Sequence, residues 1–366
     1  MKPAVQELFD DVVASGLCAR CGTCVAVCCE DCLEVSADLT PVYVGGCTSC
    51  SACVSSCPGR DLPMGDLERE AFGRRRVAGD ELGVYGEVLA AQATDPETRD
   101  SGTSGGVVTA LLLSLLEADA ITGAVVTTFD SERPYLPVAT IARDAEAIKS
   151  AAQSKYALTP QVAAFRDARP GDRLAFVGLP CQIAGLRKAA AAGYSPAEIS
   201  LSVGLFCLSN FYFEATTFII EEVLGLRLQD VVRLAYREGS FPGAFSVTTR
   251  SGTIHEVPYP DARSYLRMYR PYRCITCFDW SSELADLSIG DMYGDPDHKG
   301  FSAVLVRSKR GEEVLEMMRQ KAAVLVEPSD PLIVASNPGF LYKKRGNRAV
   351  IVDAREHGLP TPTYGG

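Results

Sequence analysis

From Val107 to Leu116 the sequence VVTALLLSLL is polar only at Thr109 and Ser114, with SGTSGG before it and EADAITGAVVTTF after it. The run is too short to span a bilayer and predicts a buried helix from about Val107 to Glu117. A glycine-rich loop leads into that helix, and a β-branched strand follows around Ala124 to Thr128. The order returns downstream: DRLAFVGLPCQIAGLRKAAAAG reads as strand, turn and helix, and SLSVGLFC as a strand that ends in a cysteine. Alternating helix and strand predict an α/β (α+β) body built on a mixed sheet. After about Leu226 the pattern shifts to short strands, as in FSVTTRSGTIHEV, where Ser251-Gly252 marks a hairpin turn. SAVLVRSKRGEEVLEMMRQKAA closes the body with a strand and an amphipathic helix. Arg60 to Asp100 is charged and irregular and reads as a linker wrapped across a neighbouring domain.

With 366 residues, 47% hydrophobic and 22% charged, the chain can bury sizeable cores and predicts two or three domains. MKPAVQELFDD has no basic region followed by an apolar core, so the expected address is the cytoplasm. Thiols stay reduced there, and 14 cysteines then argue for metal rather than disulfides. A formal net charge of −10 repels nucleic acid and anionic membrane. The basic clusters Arg74 to Arg76 and Lys343 to Arg345 are suited to a phosphate or a carboxylate, but read first as solvated surface. His255, His298 and His357 stand singly, without the paired spacing of zinc sites.

The cysteines change the picture most. Cys18, Cys21, Cys24 and Cys28 follow C-x2-C-x2-C-x3-C, and Cys47, Cys50, Cys53 and Cys57 repeat it. This duplication predicts a small N-terminal bacterial-type ferredoxin domain with two 4Fe-4S clusters. Three close thiolates cap one cube and the fourth completes the other, giving Cys18, Cys21, Cys24 and Cys57 for one site and Cys47, Cys50, Cys53 and Cys28 for the other. A zinc module or a set of redox-active thiols is the competing reading. Cys29 and Cys32 are left over; they read as spare thiols, with a substitute ligand or a larger cluster as the alternative. Outside the head, Cys181, Cys207, Cys274 and Cys277 would make a third 4Fe-4S site if they converge, and are otherwise buried structural cysteines.

The loop Ser101, Gly102, Thr103, Ser104, Gly105, Gly106 opens a helix, and its amides and hydroxyls could cradle a phosphate. It has neither the G-x-G-x-x-G nor the G-x-x-x-x-G-K-[ST] spacing, so a plain helix entry explains it equally well.

SGTSGGVVTALLLSLLE, SKYALTP, VGLPCQIAGLRK, GLFC and CITCFDWSSELADLSIGDMYG together resemble the β subunits of coenzyme F420-dependent hydrogenase and dehydrogenase, over most of the chain after about residue 85. A two-cluster ferredoxin head ahead of such a body resembles the input subunit of F420H2 dehydrogenase and the deazaflavin-oxidising part of F420-dependent sulfite reductase. The resemblance implies FAD and a body 4Fe-4S cluster. Ser101 to Gly106 with Ser154, Lys155 and Tyr156 would then belong to the flavin site, Cys181, Cys207, Cys274 and Cys277 to the cluster, and Asp286, Gly290 and Asp291 to the same region. It implies a division into 1–62 (ferredoxin-like), 63–84 (linker), 85–225 (flavin-binding half), 226–335 (half with cluster ligands) and 336–366 (a tail packed on the body).

The expected function is passage of electrons between reduced coenzyme F420 and iron-sulfur clusters through FAD, and on to a redox partner protein, a ferredoxin or a larger complex, with membrane association only through a partner. A hydride brings two electrons and a cube takes one, so the flavin must split the pair. The acidic tail of F420 calls for local cations, and Lys155, Arg187, Lys188, Arg270 and Arg273 are the candidates. A ferredoxin-dependent flavin reductase of an organic substrate, and an electron-transfer subunit without a small substrate, are the alternatives. No side chain is assigned as catalytic.

Overall fold

The structure is a computed structural model describing residues 3–239, 242–293 and 300–365; His298 lies outside them. The strands of the body are β1 Glu87–Ala93, β2 Gly123–Phe129, β3 Pro137–Ala142, β4 Leu174–Gly178, β5 Ile199–Leu205, β6 Val231–Glu238, β7 Ala244–Thr249, β8 Ile254–Pro258, β9 Leu287–Asp291, β10 Ser302–Val306 and β11 Val324–Pro328. Eight of them form one mixed sheet in the order β11-β1-β10-β9-β5-β4-β2-β3. Its centre, β9-β5-β4-β2, is parallel, and the strands on either side are antiparallel.

Parallel strands need cover on both faces, and LAFVG in β4 is buried throughout. On one face lie α1 (Val107–Glu117) and α3 (Lys309–Gln320); on the other lies α2 (Pro180–Ala191). Ala124 and Val126 join Leu111, Leu115 and Met318 in the first layer, whereas Val125 joins Phe176, Ile183 and Leu186 in the second. The period of two along β2 thus assigns its side chains to opposite cores.

The strands β6, β7 and β8 form a separate antiparallel sheet over a core of Leu234, Tyr236, Phe245 and Ile219. The predicted hairpin is present: Gly252 takes a φ of +81° between β7 and β8 and donates its N–H to the Thr249 carbonyl. Ahead of the body, the short helices Thr23–Ala26 and Ala52–Ser55 each follow a left-handed residue, Gly22 and Ser51, so the duplication in sequence is also one in backbone. This head packs against α2 through Val27, Ala52 and Ala189, and Thr23 fills the space left open at Gly185.

The stretch read as irregular is more regular than its charge suggests. Met64–Phe72 is a helix whose Met64 and Leu67 enter the α2-side core, and β1 occupies Glu87–Ala93. The tail strand Thr363–Gly365 pairs in parallel with Asp61–Pro63 at the end of the head. Among the described residues, no helix is long and apolar enough to cross a membrane.

Candidate functional site

The carboxyl ends of parallel strands gather ligand sites, because chain-reversing loops leave a crevice there. At that edge of the large sheet, Cys181 lies three residues beyond β4, Cys207 two beyond β5, and Asp291 ends β9. Thr128 and Phe129, at the end of β2, line a cavity of about 380 Å³ together with Ser101, Ser154, Lys155 and Tyr236.

The residues expected around a flavin come together in part. Thr103 Oγ1 lies 3.2 Å from Ser154 Oγ and accepts the Ser154 N–H at 3.0 Å. Ser302 Oγ joins Ser104 Oγ at 2.8 Å and accepts the Gly105 N–H at 3.1 Å, and Ser302 is the register partner of Asp291. A Cβ at Gly105 would stand 2.5 Å from the Ala91 carbonyl oxygen, so this glycine is already required by packing on β1. Asp291 is paired with Arg237 at 2.9 Å, and Arg237 lies over the Tyr259 ring, which Tyr156 also contacts. At Gly290 the Phe206 ring covers the strand where any Cβ would project.

Lys155 donates to the carbonyls of Ala151, Ala152 and Gln153 at 2.7, 2.6 and 3.3 Å. Burial lowers its ammonium to about 7, while the three acceptors favour the charged form.

Asp286 does not join this group. It precedes β9, at the opposite end from Asp291, and five residues of strand span roughly 17 Å. Its carboxylate accepts from Ser202 and Ser308 and pairs with Arg187 at 3.3 Å, which ties β5, β9 and α3 together. Most of the cations expected near the donor are likewise engaged elsewhere. Arg187 donates to the Leu284 carbonyl, Lys188 to the carbonyls of Cys57 and Asp61, and Arg273 to the Pro58 carbonyl. Arg270 meets the Tyr342 hydroxyl. Lys149 and Arg233, which line the cavity, carried no sequence signal beyond their charge.

The cysteines fall into three neighbourhoods. Cys18, Cys21, Cys24 and Cys57 line one largely apolar cavity with Leu8, Val12 and Pro58. Burial pushes the Cys18 thiol up to about 12 and that of Cys57 to about 11, and raises Cys24 well above its ordinary value, with the neighbouring sulfurs adding to the effect. Cys53 is pushed up to about 12 by burial and then by Cys50, Cys28 and Cys47. The repeats share a detail: the amide of Arg20 points at Cys18 Sγ and that of Ser49 at Cys47 Sγ, both at 3.4 Å.

In the body, burial raises Cys181 well above the thiol range, followed by the charges of Cys21, Cys207, Cys277 and Cys274. The four body cysteines therefore share one locality, and Cys21 of the head reaches it. Around them stand groups that the sequence pattern places on the surface. Lys343, 2% exposed, donates to the Cys207 carbonyl at 2.6 Å, and Asn347 donates to the carbonyls of Cys274 and Cys277 at 3.0 and 2.7 Å. Their i, i+4 spacing, which puts both on one helix face, was the available signal.

Thiols gathered in apolar surroundings suppress each other's ionisation and become thiolates only beside a compensating cation, so these donor sets suit metal. Among the described residues, no three Cys, His, Asp or Glu side chains gather tightly enough to hold a single metal ion.

The family described as coenzyme F420 hydrogenase/dehydrogenase, β subunit, matches in both parts: its N-terminal region at residues 88–166 and its C-terminal region at 171–331. The β subunit of the coenzyme F420 hydrogenase of Methanococcus voltae is 30% identical over 293 residues, covering 77% of this chain and 99% of that protein. An F420H2 dehydrogenase subunit of Methanosarcina mazei is 30% identical over 361 residues, covering 95% of this chain and 94% of its own. A subunit in the xenon-derivatized F420-reducing [NiFe] hydrogenase complex of Methanosarcina barkeri superimposes with a TM-score of 0.63 at 26% identity, over 79% of this chain and 99% of that one. With both halves of the body matched and the β subunit of an F420 hydrogenase spanned almost end to end, the chain belongs to the coenzyme F420 hydrogenase/dehydrogenase β subunit family.

Proposed function

We propose that this chain is an iron-sulfur flavoprotein oxidoreductase that takes electrons from reduced coenzyme F420 and delivers them, through three 4Fe-4S sites, to a redox partner or larger complex. The observation that carries the reading is the seating of the head on α2 beside Cys181: Cys21 Sγ lies 3.2 Å from Thr23 Oγ1, and Thr23 packs on Gly185, about one helical turn from Cys181. The relatives' names supply the F420 link and membership of a complex.

Each thiolate of a cube holds its own iron, so sulfurs that share a neighbourhood without converging on one point suit a cube better than a single zinc ion. When bound, FAD would supply the exchange between hydride and single electrons. The chain's residues do the rest. Ser101 and Ser154 line the cavity, Thr103 holds the Ser154 amide, Tyr156 packs edge-on against the lining Tyr236, and Lys155 offers a cation that carbonyl oxygens hold in place. Asp291 is kept beside the loop by Arg237 and the β9–β10 register. Phe206 closes over β9 at Gly290 and packs at a tilt against Trp280, ring centroids 4.4 Å apart, which covers the strand beside Cys207 with apolar surface. Asn210 bridges the two areas, donating to the Ala157 carbonyl at 3.0 Å while its own carbonyl faces Cys274 Sγ at 3.7 Å.

Anaerobically purified protein is expected to contain about twelve irons per chain with matching sulfide. A value near eight removes the body site, and a zinc-only preparation overturns the electron-transfer reading. Anaerobic titration with reduced F420, NADH and NADPH, following the flavin band, tests the donor. Bleaching by NADH with none by reduced F420 rejects the assignment.

Lys155 adds a pH signature. An anionic tail of phosphodiester and carboxylates, ionised throughout this range, is expected to bind more tightly at pH 6 than at pH 8, because the Lys155 ammonium is lost as pH rises through about 7. Fluorescence titration at both values should show the difference, and Lys155→Met should abolish it.

A further inference from the structure

Two cysteines, Cys29 and Cys32, lie beside the four that spacing assigns to the second head site, and a cube requires only four. Cys29 is exposed, with Cys50 beside it. Cys32 differs from it. It is 4% exposed, packed with Leu33 and Val54, and its carbonyl accepts the Val44 N–H at 3.0 Å, so its backbone is pinned at the start of the hairpin Leu33–Val35/Pro41–Tyr43. Its Sγ lies 3.3 Å from Cys28 Sγ, and Cys47 is the other sulfur beside it. The duplication makes the feature asymmetric. The residue four beyond Cys57 is Asp61, whose carboxylate is held by Lys188 at 2.8 Å. Only the second site carries an added thiol at this position.

Each iron of a cube takes one thiolate, so two sulfurs in van der Waals contact address one corner rather than two. That placement speaks against a larger cluster, which needs its extra thiols spread over further irons. It also distinguishes Cys32 from an idle core cysteine, since it is aimed at a sulfur already placed for metal.

We infer that Cys28 and Cys32 are interchangeable ligands to one iron of the second head site. The inference rests on the cluster reading above. The exchange needs no oxidant or reductant: the iron–Cys28 bond breaks as the iron–Cys32 bond forms, the Cys32 thiol gives up its proton, and Cys28 takes one up. The second site would thereby keep its fourth ligand through damage to either thiol.

The test uses the full chain, purified without oxygen, as wild type, Cys28→Ala, Cys32→Ala and the double variant. Alanine is preferred because a serine oxygen could itself bind iron. Iron and sulfide are counted, and electron paramagnetic resonance of the reduced protein follows the individual clusters. Each single variant is expected to retain nearly all of the wild-type iron, and the double variant to lose about four irons, one cube. Loss of about four irons from Cys28→Ala alone overturns the inference by making Cys28 indispensable. Full retention in the double variant overturns it by showing that neither thiol binds. Wild type without iron-sulfur clusters overturns the cluster reading itself, a result distinct from the other two. Retention of the remaining cluster signals in the double variant shows that its loss is local rather than a failure to fold.

Discussion

Replacing Cys274 and Cys277 together by alanine is expected to leave reduction of the bound flavin by its hydride donor intact and to slow electron delivery to the head by a hundredfold or more. The loss of supporting groups alone commonly costs metal sites roughly ten- to a hundredfold, and this change would remove two of the proposed ligands themselves. Cys274 lies in the short helix Tyr272–Ile275 and Cys277 two residues beyond it, and Asn347 holds both of their carbonyls, so alanine deletes the sulfurs without removing the local frame. Stopped-flow spectroscopy separates the flavin band from cluster bleaching. Unchanged delivery would remove both residues from the ligand set, and loss of flavin along with the cluster would make the pair structural.

The second large effect concerns stability. Lys344 is fully buried and paired with the equally buried Glu283, which also forms an ion pair with Arg76 at 2.6 Å. Burial pushes the Glu283 carboxyl up, but Lys344 and Arg76 outweigh it and hold the group at about 2. The same locality contains Asp279, pushed up to about 6 by burial and then by Glu283. Lys344→Met would leave these acids with one counter-charge fewer in a dry interior. Breaking a buried pair in this way costs about 3–5 kcal/mol. Arg345, the next residue, is mostly exposed and faces Glu81 at 3.6 Å; Arg345→Met should cost about 0.5 kcal/mol or less. Urea unfolding of the two variants, with unchanged slope, measures the contrast, and equal midpoints would sink the argument.

What the sequence disclosed followed the range of each signal. Helix α1 begins and ends where the apolar run predicted, and β2, β4, β5 and β10 fall where alternation or apolar runs placed them, because those patterns are local. Cysteine spacing grouped Cys18, Cys21 and Cys24, but the approach of Cys21 to Cys181 depends on how the head sits on α2 and leaves no mark on spacing. The run Lys343 to Arg345 reads as solvated because charge pattern reports composition, whereas the acid that buries Lys344 lies 61 residues away. Arg187, Lys188 and Arg273 stand next to cysteine motifs in sequence, yet their long side chains turn to carbonyls and carboxylates at domain seams. Asp286 was grouped with Asp291 by a shared motif, and a strand carries the two to opposite edges of the sheet.

The parallel pairing of Thr363–Gly365 with Asp61–Pro63 has a consequence for biogenesis. Tyr364 reinforces the pairing, donating its hydroxyl to the Thr276 carbonyl at 2.7 Å beside the CITC segment. A ribosome makes residue 61 some three hundred residues before this partner emerges, so the seam between head and body stays unlatched throughout that stretch of synthesis. Under the proposed ligand sets, Cys57 on one side of that seam and Cys277 on the other are both open to an iron carrier during that window. Pairing of Thr363–Gly365 then closes the seam over both.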